Sequence, residues 1–314
     1  MIDCIYIAAC ARDARLTRIC VASIRYFYPE ISIRLLDGEG LQGGLAKELH
    51  RYWGVELVDL AKGDYGWGMV KLEPLFGPSG QRFLVMDVDT VFTGRVLDVR
   101  DKSDAPFFVD NELLSDADFK RLYYDWDKVR EIDPKAQPAR MAFNVGQWFG
   151  TSGLIKRGDF DPWVEWTLPR RLRYPEYFMG GDQGVLNYVA LQKEAFEGLK
   201  IDRHTIMRWP GNSMNDLNVT SVSAGTAPAL VVHWAGMKKT FLRKMAGADL
   251  LLFFERFYYR RMPAGRVRRV LAIVYHIWLQ HLHPLRWRAK LQWRKLFRQR
   301  ATSQPEVVTE SIRG

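Results

Sequence analysis

The sequence predicts an α/β fold with a mainly parallel central sheet flanked by helices, followed by a basic helical tail. Two observations carry this prediction. Short apolar segments alternate with segments of helical periodicity up to residue 92, which is typical of βαβ units. The C-terminal part differs, because residues 256–300 carry 13 Arg and Lys and no Asp or Glu. At 314 residues the chain is long enough to bury a sizeable core.

The first half is regular and begins with an apolar strand at residues 4–9 and a helix at 17–28 that stops at Pro29. Further elements of this half are predicted as strands at 31–36, 55–58 and 83–92 and as helices at 41–53 and 69–76. In the less regular second half, the predicted elements are a strand at 106–109, a helix at 113–126, a loop at 136–139, a strand at 141–149, a helix at 182–191 and a strand at 230–233.

The predicted strand at 83–92 places Asp87 and Asp89 at the end of an apolar run. The run does not alternate, so both faces of the strand are expected to be buried. In open α/β sheets, ligands bind outside the carboxyl ends of the strands. Two carboxylates are costly to hold there without a cation, and a divalent metal that binds a phosphate is the simplest partner. The alternative is a solvated turn whose Asp side chains cap the backbone.

His233 ends the last predicted strand and is the best candidate for a third metal ligand, although it also fits an ordinary core or capping histidine. Gly236 allows close backbone approach to a ligand, and Lys238 and Lys239 add positive charge beside it. This combination suits a diphosphate.

For four further residues, a functional interpretation competes with a structural one. Asp182 and Gln183 follow two glycines at a helix start, where they either bind sugar hydroxyls or cap the helix. Asn144 interrupts an apolar run and either faces a ligand or satisfies backbone groups. Lys71, taken alone, fits a solvated lysine on an amphipathic helix.

The order of these motifs resembles that of the retaining glycosyltransferases of family 8, which have the GT-A fold and include lipopolysaccharide galactosyl- and glucosyltransferases. The resemblance extends over about residues 3–245. Its matching positions are Ala8 and Ala9, Lys71, Leu84-Val-Met-Asp87-Val-Asp89, Phe143-Asn144-Val-Gly146, Asp182-Gln183-x-x-Leu186-Asn187 and His233-Trp-x-Gly236-x-x-Lys239.

The resemblance implies a metal-dependent transfer of a hexose from a nucleotide diphosphate sugar, UDP-glucose or UDP-galactose, to a glycan or glycolipid acceptor with retention. It places the activity in the synthesis of cell-surface polysaccharide or lipopolysaccharide. The implied roles are Mn²⁺ or Mg²⁺ binding by Asp87, Asp89 and His233, diphosphate binding by Gly236 and Lys239, nucleoside contacts by Ala8 and Ala9, a donor contact by Val88, and positions around the donor sugar for Lys71, Asn144 and the catalytic candidates Asp182 and Gln183.

Three segments depart from the family pattern. Gly184 stands where the family often has a second acid, and Thr240-Phe241 stands where it usually has Pro-Trp. The segment from Cys10 to Asp13 lacks the usual acidic and amide residues directly after the first strand. These departures affect the donor-sugar and nucleobase contacts more than the metal site.

The net charge of +10 comes from one C-terminal block. We expect residues 1–250 to form one α/β domain, 251–300 a basic aromatic helical region that associates with membranes, and 301–314 a disordered tail. Residues 256–300 suit an anionic membrane surface, where each Lys or Arg contributes about 1 kcal/mol. Nucleic acid is the less favoured partner, because long apolar side chains add little to phosphate binding. The alternative is a helix packed on the core with an arginine-rich outer face.

The start of the sequence does not read as a signal peptide, and no stretch reaches the ~18 apolar residues of a membrane span. We therefore expect a cytoplasmic protein that is peripheral at the inner face of the cell membrane. Cys4, Cys10 and Cys20 have no zinc-site spacing and are expected to be buried thiols in a reducing compartment. No sequence feature sets the oligomeric state.

Two other functions remain open. A strand followed by Asp-x-Asp-Thr-Val also resembles haloacid-dehalogenase-type phosphatases, with Asp87 as nucleophile and Asp89 as acid. Those enzymes usually carry the motif on the first strand, whereas two or more predicted strands precede it here. The third possibility is a non-catalytic module that binds membrane or nucleic acid through its tail.

Overall fold

The computed structural model describes residues 1–38, 41, 43–61, 63–66, 68–139, 141–211, 214–237 and 241–278. Its strands are β1 (Cys4–Ala9), β2 (Ser32–Asp37), β3 (Val55–Leu57), β4 (Arg82–Asp87), β5 (Thr90–Phe92), β6 (Phe107–Asp110), β7 (Glu112–Leu113), β8 (Met141–Ala142), β9 (Gln147–Thr151), β10 (Val164–Glu165), β11 (Arg171–Leu172), β12 (Ile201–His204), β13 (Met207–Arg208) and β14 (Val231–His233).

Helices connect most of these strands. The α-helices are α1 (Ala14–Phe27), α2 (Gly43–Trp53), α3 (Val96–Arg100), α4 (Asp116–Leu122), α5 (Trp126–Val129), α6 (Asp182–Glu197), α7 (Val219–Ala224), α8 (Ala248–Arg260) and α9 (Gly265–Ile277). Short 3₁₀ helices span Ala11–Asp13, Met69–Phe76, Arg157–Phe160 and Leu242–Lys244.

The central sheet has the order β12-β6-β9-β4-β1-β2-β3. Its neighbours pair in parallel except at β9, which runs antiparallel to both β4 and β6. A smaller sheet has the order β13-β14-β5, in which β14 is antiparallel to β5. The predicted α/β fold with a mainly parallel sheet is therefore confirmed.

Strand β4 lies in the interior of the central sheet and is buried on both faces, as its apolar run predicts. Leu84 and Met86 pack into the hydrophobic cluster on one face, and Phe83 and Val85 pack into the cluster on the other. The parallel register with β1 places Ala8 beside Asp87. The carboxyl ends of these two strands therefore open onto the same edge of the sheet.

Two predicted elements of the second half are divided in the structure. The predicted helix at 113–126 is replaced by the short strand β7 and by α4 and α5, because Ser115 and Asp125 accept hydrogen bonds as N-caps and start new helices. The predicted strand at 141–149 forms as β8 and β9. It breaks where the side-chain oxygen of Asn144 accepts a hydrogen bond from the backbone N–H of Gly146.

The predicted domain boundary at residue 250 falls within α8. Leu250, Leu251, Phe254 and Tyr258 of this helix are buried in the same hydrophobic cluster as the inner face of α1. The helix therefore belongs to the body of the protein. Among the described residues, no helix has the length and apolar character that a bilayer-spanning segment needs. The predicted regions at 279–300 and 301–314 lie outside the described residues.

Candidate active site

A cavity of about 630 Å³ opens at the carboxyl edge of β1 and β4. The site residues predicted from the sequence line it, with one exception. The lining includes Ala8, Ala9, Lys71, Asp87, Val88, Asp89, Asn144, Asp182, Gln183, His233 and Gly236. The exception is Lys239, which lies outside the described residues.

Asp87, Asp89 and His233 face one another across this cavity. Strand β4 ends at Asp87, and the antiparallel pairing of β5 with β14 sets His233 opposite Thr90. Nε2 of His233 lies 3.4 Å from Oδ1 of Asp89 and 3.8 Å from Oδ2 of Asp87. One ligand atom from each residue lies within 4.8 Å of the other two. Residues that are far apart in the sequence, Asp87 and Asp89 on one side and His233 on the other, thus form one cluster.

The three side chains suit a divalent metal ion. Carboxylate oxygens are the usual ligands of Mg²⁺ and Mn²⁺, and imidazole is tolerated by Mn²⁺. Only 2% of His233 is exposed, and within the described residues neither ring nitrogen makes a hydrogen bond. A buried imidazole without hydrogen bonds is costly, and ligation of a metal would remove that cost.

Lys71 supplies a fixed positive charge beside this cluster. The 3₁₀ helix Met69–Phe76 directs its Nζ to 2.8 Å from Oδ2 of Asp182, 3.1 Å from Oδ1 of Asp87 and 3.3 Å from the carbonyl oxygen of Val145. Burial alone would lower the pKa of Lys71, but Asp182 and Asp87 raise it above its ordinary value. The structure corrects the interpretation of Lys71 as a solvated lysine, because its side chain is buried.

Asp182 is the first residue of α6 and is buried against Lys71. Burial raises the pKa of its carboxyl, and the charge of Lys71 opposes that rise. Gly68 packs directly over it, since a Cβ at position 68 would lie 2.0 Å from Oδ1 of Asp182. The φ angle of Gly68 is +76°, so glycine is required there for its conformation as well as for space. Asp182 is therefore held between a lysine and a backbone turn.

The adjoining part of α6 explains one departure from the family pattern. A Cβ on Gly184 would lie 2.3 Å from the carbonyl oxygen of Tyr123 and 2.8 Å from that of Met179. A second acid therefore has no room at this position. Gln183 lines the cavity while its Nε2 donates a 3.1 Å hydrogen bond to the carbonyl oxygen of Leu122.

Asn144 combines both roles considered for it. Its side-chain oxygen accepts a 2.8 Å hydrogen bond from the N–H of Gly146, and the residue also lines the cavity. Asn187 of α6 holds the adjoining backbone by accepting from the N–H of Phe143 at 3.0 Å and donating to its carbonyl oxygen at 2.9 Å. Asn187 matches the resemblance, but its role could not be assigned without the contact between α6 and this segment.

The end of the cavity next to β1 is lined by Cys10, Arg12 and Asp13. Cys4 and Cys20 are buried as predicted, whereas Cys10 is only partly buried. Burial raises the pKa of the Cys20 thiol to about 12, and the group lies 3.9 Å from the carbonyl oxygen of Asp87. Cys20 thus packs beneath the turn between the two acids.

Trp209, which no sequence pattern singles out, lies against His233. Its indole is stacked on the imidazole of His233, with ring centroids 5.3 Å apart and ring planes at 19°. The contact arises because β13 pairs with β14 in parallel, with Arg208 opposite Val232. No local pattern marks a two-residue strand of this kind.

No family model and no curated protein matches the chain. Solved structures do match. The galactosyltransferase LgtC, in complex with donor and acceptor sugar analogs, superimposes with a TM-score of 0.52 at 14% identity, over 81% of this chain and 94% of that one. The bifunctional glycosyltransferase WbbM gives 0.51 at 14% identity, over 83% of this chain. The glycosyltransferase GlyE of Streptococcus pneumoniae gives 0.50 at 13% identity, over 89% of this chain.

The chain spans 52% of WbbM and 64% of GlyE. Together with the sheet order, these likenesses show that the chain has the GT-A fold, as its motifs predict.

Proposed function

We propose that the protein is a metal-dependent glycosyltransferase that moves a hexose from a nucleotide diphosphate sugar to a glycan or glycolipid acceptor. The observation that carries the proposal is the cluster of Asp87, Asp89 and His233 with Lys71 beside it. Two carboxylates, an imidazole and a lysine at the carboxyl edge of a GT-A sheet suit a metal ion and a diphosphate. The metal would be Mn²⁺ or Mg²⁺, held by the first three residues.

Different residues along the cavity bind the nucleoside, the diphosphate and the sugar of the donor. Ala8 and Ala9 leave space for the nucleoside at the end of β1. Gly236, with a φ of +69°, brings backbone close to the diphosphate. Asp182 and Gln183 contact the sugar from the start of α6. A bound divalent metal would supply Lewis-acid stabilisation of the departing diphosphate.

The transfer breaks the bond between the anomeric carbon and a phosphate oxygen and forms one to the acceptor oxygen. Retention through a covalent intermediate needs a carboxylate nucleophile. Asp182 is a poor one here because Lys71 pairs with it, Gly184 leaves no room for another acid, and Gln183 is an amide. We therefore favour a front-face route, in which the departing phosphate oxygen takes the acceptor's proton.

The donor we favour is UDP-glucose or UDP-galactose, and the pathway is synthesis of lipopolysaccharide or another cell-surface polysaccharide. The order of motifs supports this choice, and LgtC, a galactosyltransferase of like fold, was solved with donor and acceptor sugar analogs. A phosphatase using Asp87 as nucleophile is the competing function. Against it, those enzymes need a lysine after the Asp-x-Asp motif, whereas Lys71, which pairs with Asp87, precedes the motif.

The proposed location is the inner face of the cell membrane, with α9 and the basic residues after it on anionic lipid. Helix α9 supports this, since Val270, Leu271 and Val274 are more than half exposed on it. Arg266 and Arg268 lie on the same helix. Apolar side chains interleaved with arginine suit a membrane interface better than nucleic acid.

Thermal unfolding with UDP-, GDP- and CMP-sugars, each with Mn²⁺ and with chelator, tests the site. A ligand that binds only the native state raises the melting temperature with its affinity. We expect UDP-hexoses to do so only with metal, and the stabilising donor to be consumed in a transfer assay. A folded sample that no donor stabilises, or that hydrolyses phosphate monoesters instead, would contradict the proposal. Vesicle binding by the full chain and by a variant lacking residues 279–314 tests the membrane proposal separately.

A further inference from the structure

His233 is positioned by packing. Within the described part of the chain, neither Nδ1 nor Nε2 makes a hydrogen bond, and the side chain is almost wholly buried. A histidine that binds a metal ordinarily donates its second ring N–H to a carboxylate, a carbonyl or water, which fixes the orientation of the ring. Apart from the two carboxylates of the cluster, the protein contacts that orient this imidazole are packing contacts.

Two contacts confine the ring. The indole of Trp209 stacks on it nearly parallel, with centroids 5.3 Å apart. Gly146 closes against another side, because a Cβ there would lie 2.1 Å from Cε1 and 2.7 Å from Nδ1 of His233. Rotation of the imidazole about its Cβ–Cγ bond would thus break the stacking or strike the backbone of Gly146.

The segment that leads to Trp209 is held in place by hydrogen bonds to Asp110. Oδ1 of the buried Asp110 accepts hydrogen bonds from the backbone N–H groups of Ile206 at 2.9 Å and Met207 at 3.0 Å. From there β13 runs parallel to β14, and Trp209 follows beside His233. The segment that carries the indole is therefore held both by the end of β6 and by the strand that carries His233.

We propose that Trp209 is a positioning residue that sets the affinity of the cluster for Mn²⁺ by fixing the plane of the His233 imidazole. The proposal rests on the metal role given to Asp87, Asp89 and His233 above. Stacking holds Nε2 toward the two carboxylates in the absence of metal, so the ion meets a ligand set that is already arranged. Loss of the indole would let the ring turn, and the ion would have to reorder it.

The first test is the dissociation constant for Mn²⁺ alone, measured from the spin-resonance signal of the free ion. Replacing the partner that orients a metal-ligating histidine typically weakens binding about tenfold or more, and we expect that loss in Trp209→Ala and in Trp209→Leu. Trp209→Phe should recover most of the affinity, because it keeps an aromatic face. Trp278→Leu, in the C-terminal helical region, is the matched control and should bind as the wild type does.

The second test separates positioning from general damage. Imidazole is accepted by Mn²⁺ but is a poor ligand for Mg²⁺, which prefers oxygen. Trp209→Ala should therefore weaken Mn²⁺ binding more than Mg²⁺ binding. A site that had merely lost its structure would lose both ions alike, and that result would overturn the proposal.

The third test is a double-mutant cycle with His233→Ala. If Trp209 acts through His233, adding Trp209→Ala to His233→Ala should leave Mn²⁺ affinity unchanged. An additional tenfold loss in the double variant would overturn the proposal, and so would wild-type Mn²⁺ affinity in folded Trp209→Ala and Trp209→Leu. A folded wild type that binds no Mn²⁺ would instead refute the metal site, and with it the proposed function.

Discussion

The carboxyl edge of the central sheet and helix α9 differ in which kind of side chain is exposed to solvent. At the edge, polar groups are buried: Lys71, Asp89 and His233 are almost inaccessible to water. On α9, apolar groups are exposed, with Val270 at 60% and Leu271 at 62%. Buried charges need partners, and a row of exposed apolar side chains marks a binding surface.

The two regions differ in how completely the fold supplies those partners. Lys71 neutralises Asp182 and part of the charge on Asp87. Helix α9 is attached through Glu255, which pairs with Arg15 of α1 and with Arg269 of α9. Within the described residues, Val270, Leu271 and Val274 of this helix remain more than half exposed. In our proposal, the first region binds a compact ligand and the second binds an extended one.

Removing one carboxylate from the edge should have the largest effect. Asp89→Ala takes away a metal ligand, and loss of the metal's stabilisation of the leaving group should lower transfer on the order of a thousandfold, about 4 kcal/mol. Initial rates of UDP release with Mn²⁺ measure this. Asp118→Ala, which removes an exposed carboxylate, is the control. Undiminished metal-dependent turnover by folded Asp89→Ala would contradict the role of Asp89 as a metal ligand.

Removing the lysine should cost stability. Lys71→Met leaves two carboxylates without their counter-charge, and breaking a buried ion pair on one side costs about 3 kcal/mol of unfolding free energy. Urea unfolding gives this value, and saturating Mn²⁺ should restore part of it by neutralising Asp87. Lys120→Met, whose pairs are near the surface, should change stability by about 1 kcal/mol or less. Equal losses in the two variants would show that Lys71 is not the buried counter-charge.

A pair of leucines compares α8 with α9. Leu251→Ala opens a cavity in the core and should cost about 2–3 kcal/mol, whereas Leu271→Ala on the exposed helix should stay within about 0.5 kcal/mol. Chemical unfolding of both variants measures the difference. Similar values would mean that the body of the protein ends near residue 250, as the sequence alone predicts.

The smallest effect concerns the exposed face of α9. Val270→Ser, Leu271→Ser and Val274→Ser together remove apolar area that would enter the membrane interface, and we expect about a tenfold loss of binding to anionic vesicles. Sedimentation with phosphatidylglycerol vesicles measures it, with donor binding in solution unchanged. Unaltered vesicle binding would assign attachment to other residues and leave α9 without a role at the membrane.

Some residues of the candidate site could be predicted from the sequence. Strand β4 was predictable because its apolar run and the two acids that follow it are consecutive residues. Asn144 was identified as a polar interruption of an apolar run, His233 as the end of a strand, and Asp182 as the residue after two glycines at a helix start. Of the polar residues of the site, only Asp87 reaches it as the end of a strand of the parallel sheet. The antiparallel pairing of β14 with β5 places His233 there, Asn144 precedes the antiparallel strand β9, and Asp182 begins α6.

Other features depend on contacts between distant segments. Trp209 reaches His233 through a strand of two residues, and no periodicity marks it. The lack of space at Gly184 arises from the carbonyl groups of Tyr123 and Met179, which a sequence comparison reads only as a departure. The place of α8 in the core depends on its packing against α1, a contact between distant segments that the composition of the chain does not reveal.

The central claim is that the carboxyl edge binds one divalent metal together with a nucleoside diphosphate. Titration of Mn²⁺ followed by spin resonance, with and without UDP, tests it in the wild type and in Asp87→Asn/Asp89→Asn. We predict one Mn²⁺ site per wild-type chain, with an affinity that rises when UDP is present. The double variant should lack this site. A folded wild type that binds Mn²⁺ no better than the double variant, with or without UDP, would contradict it.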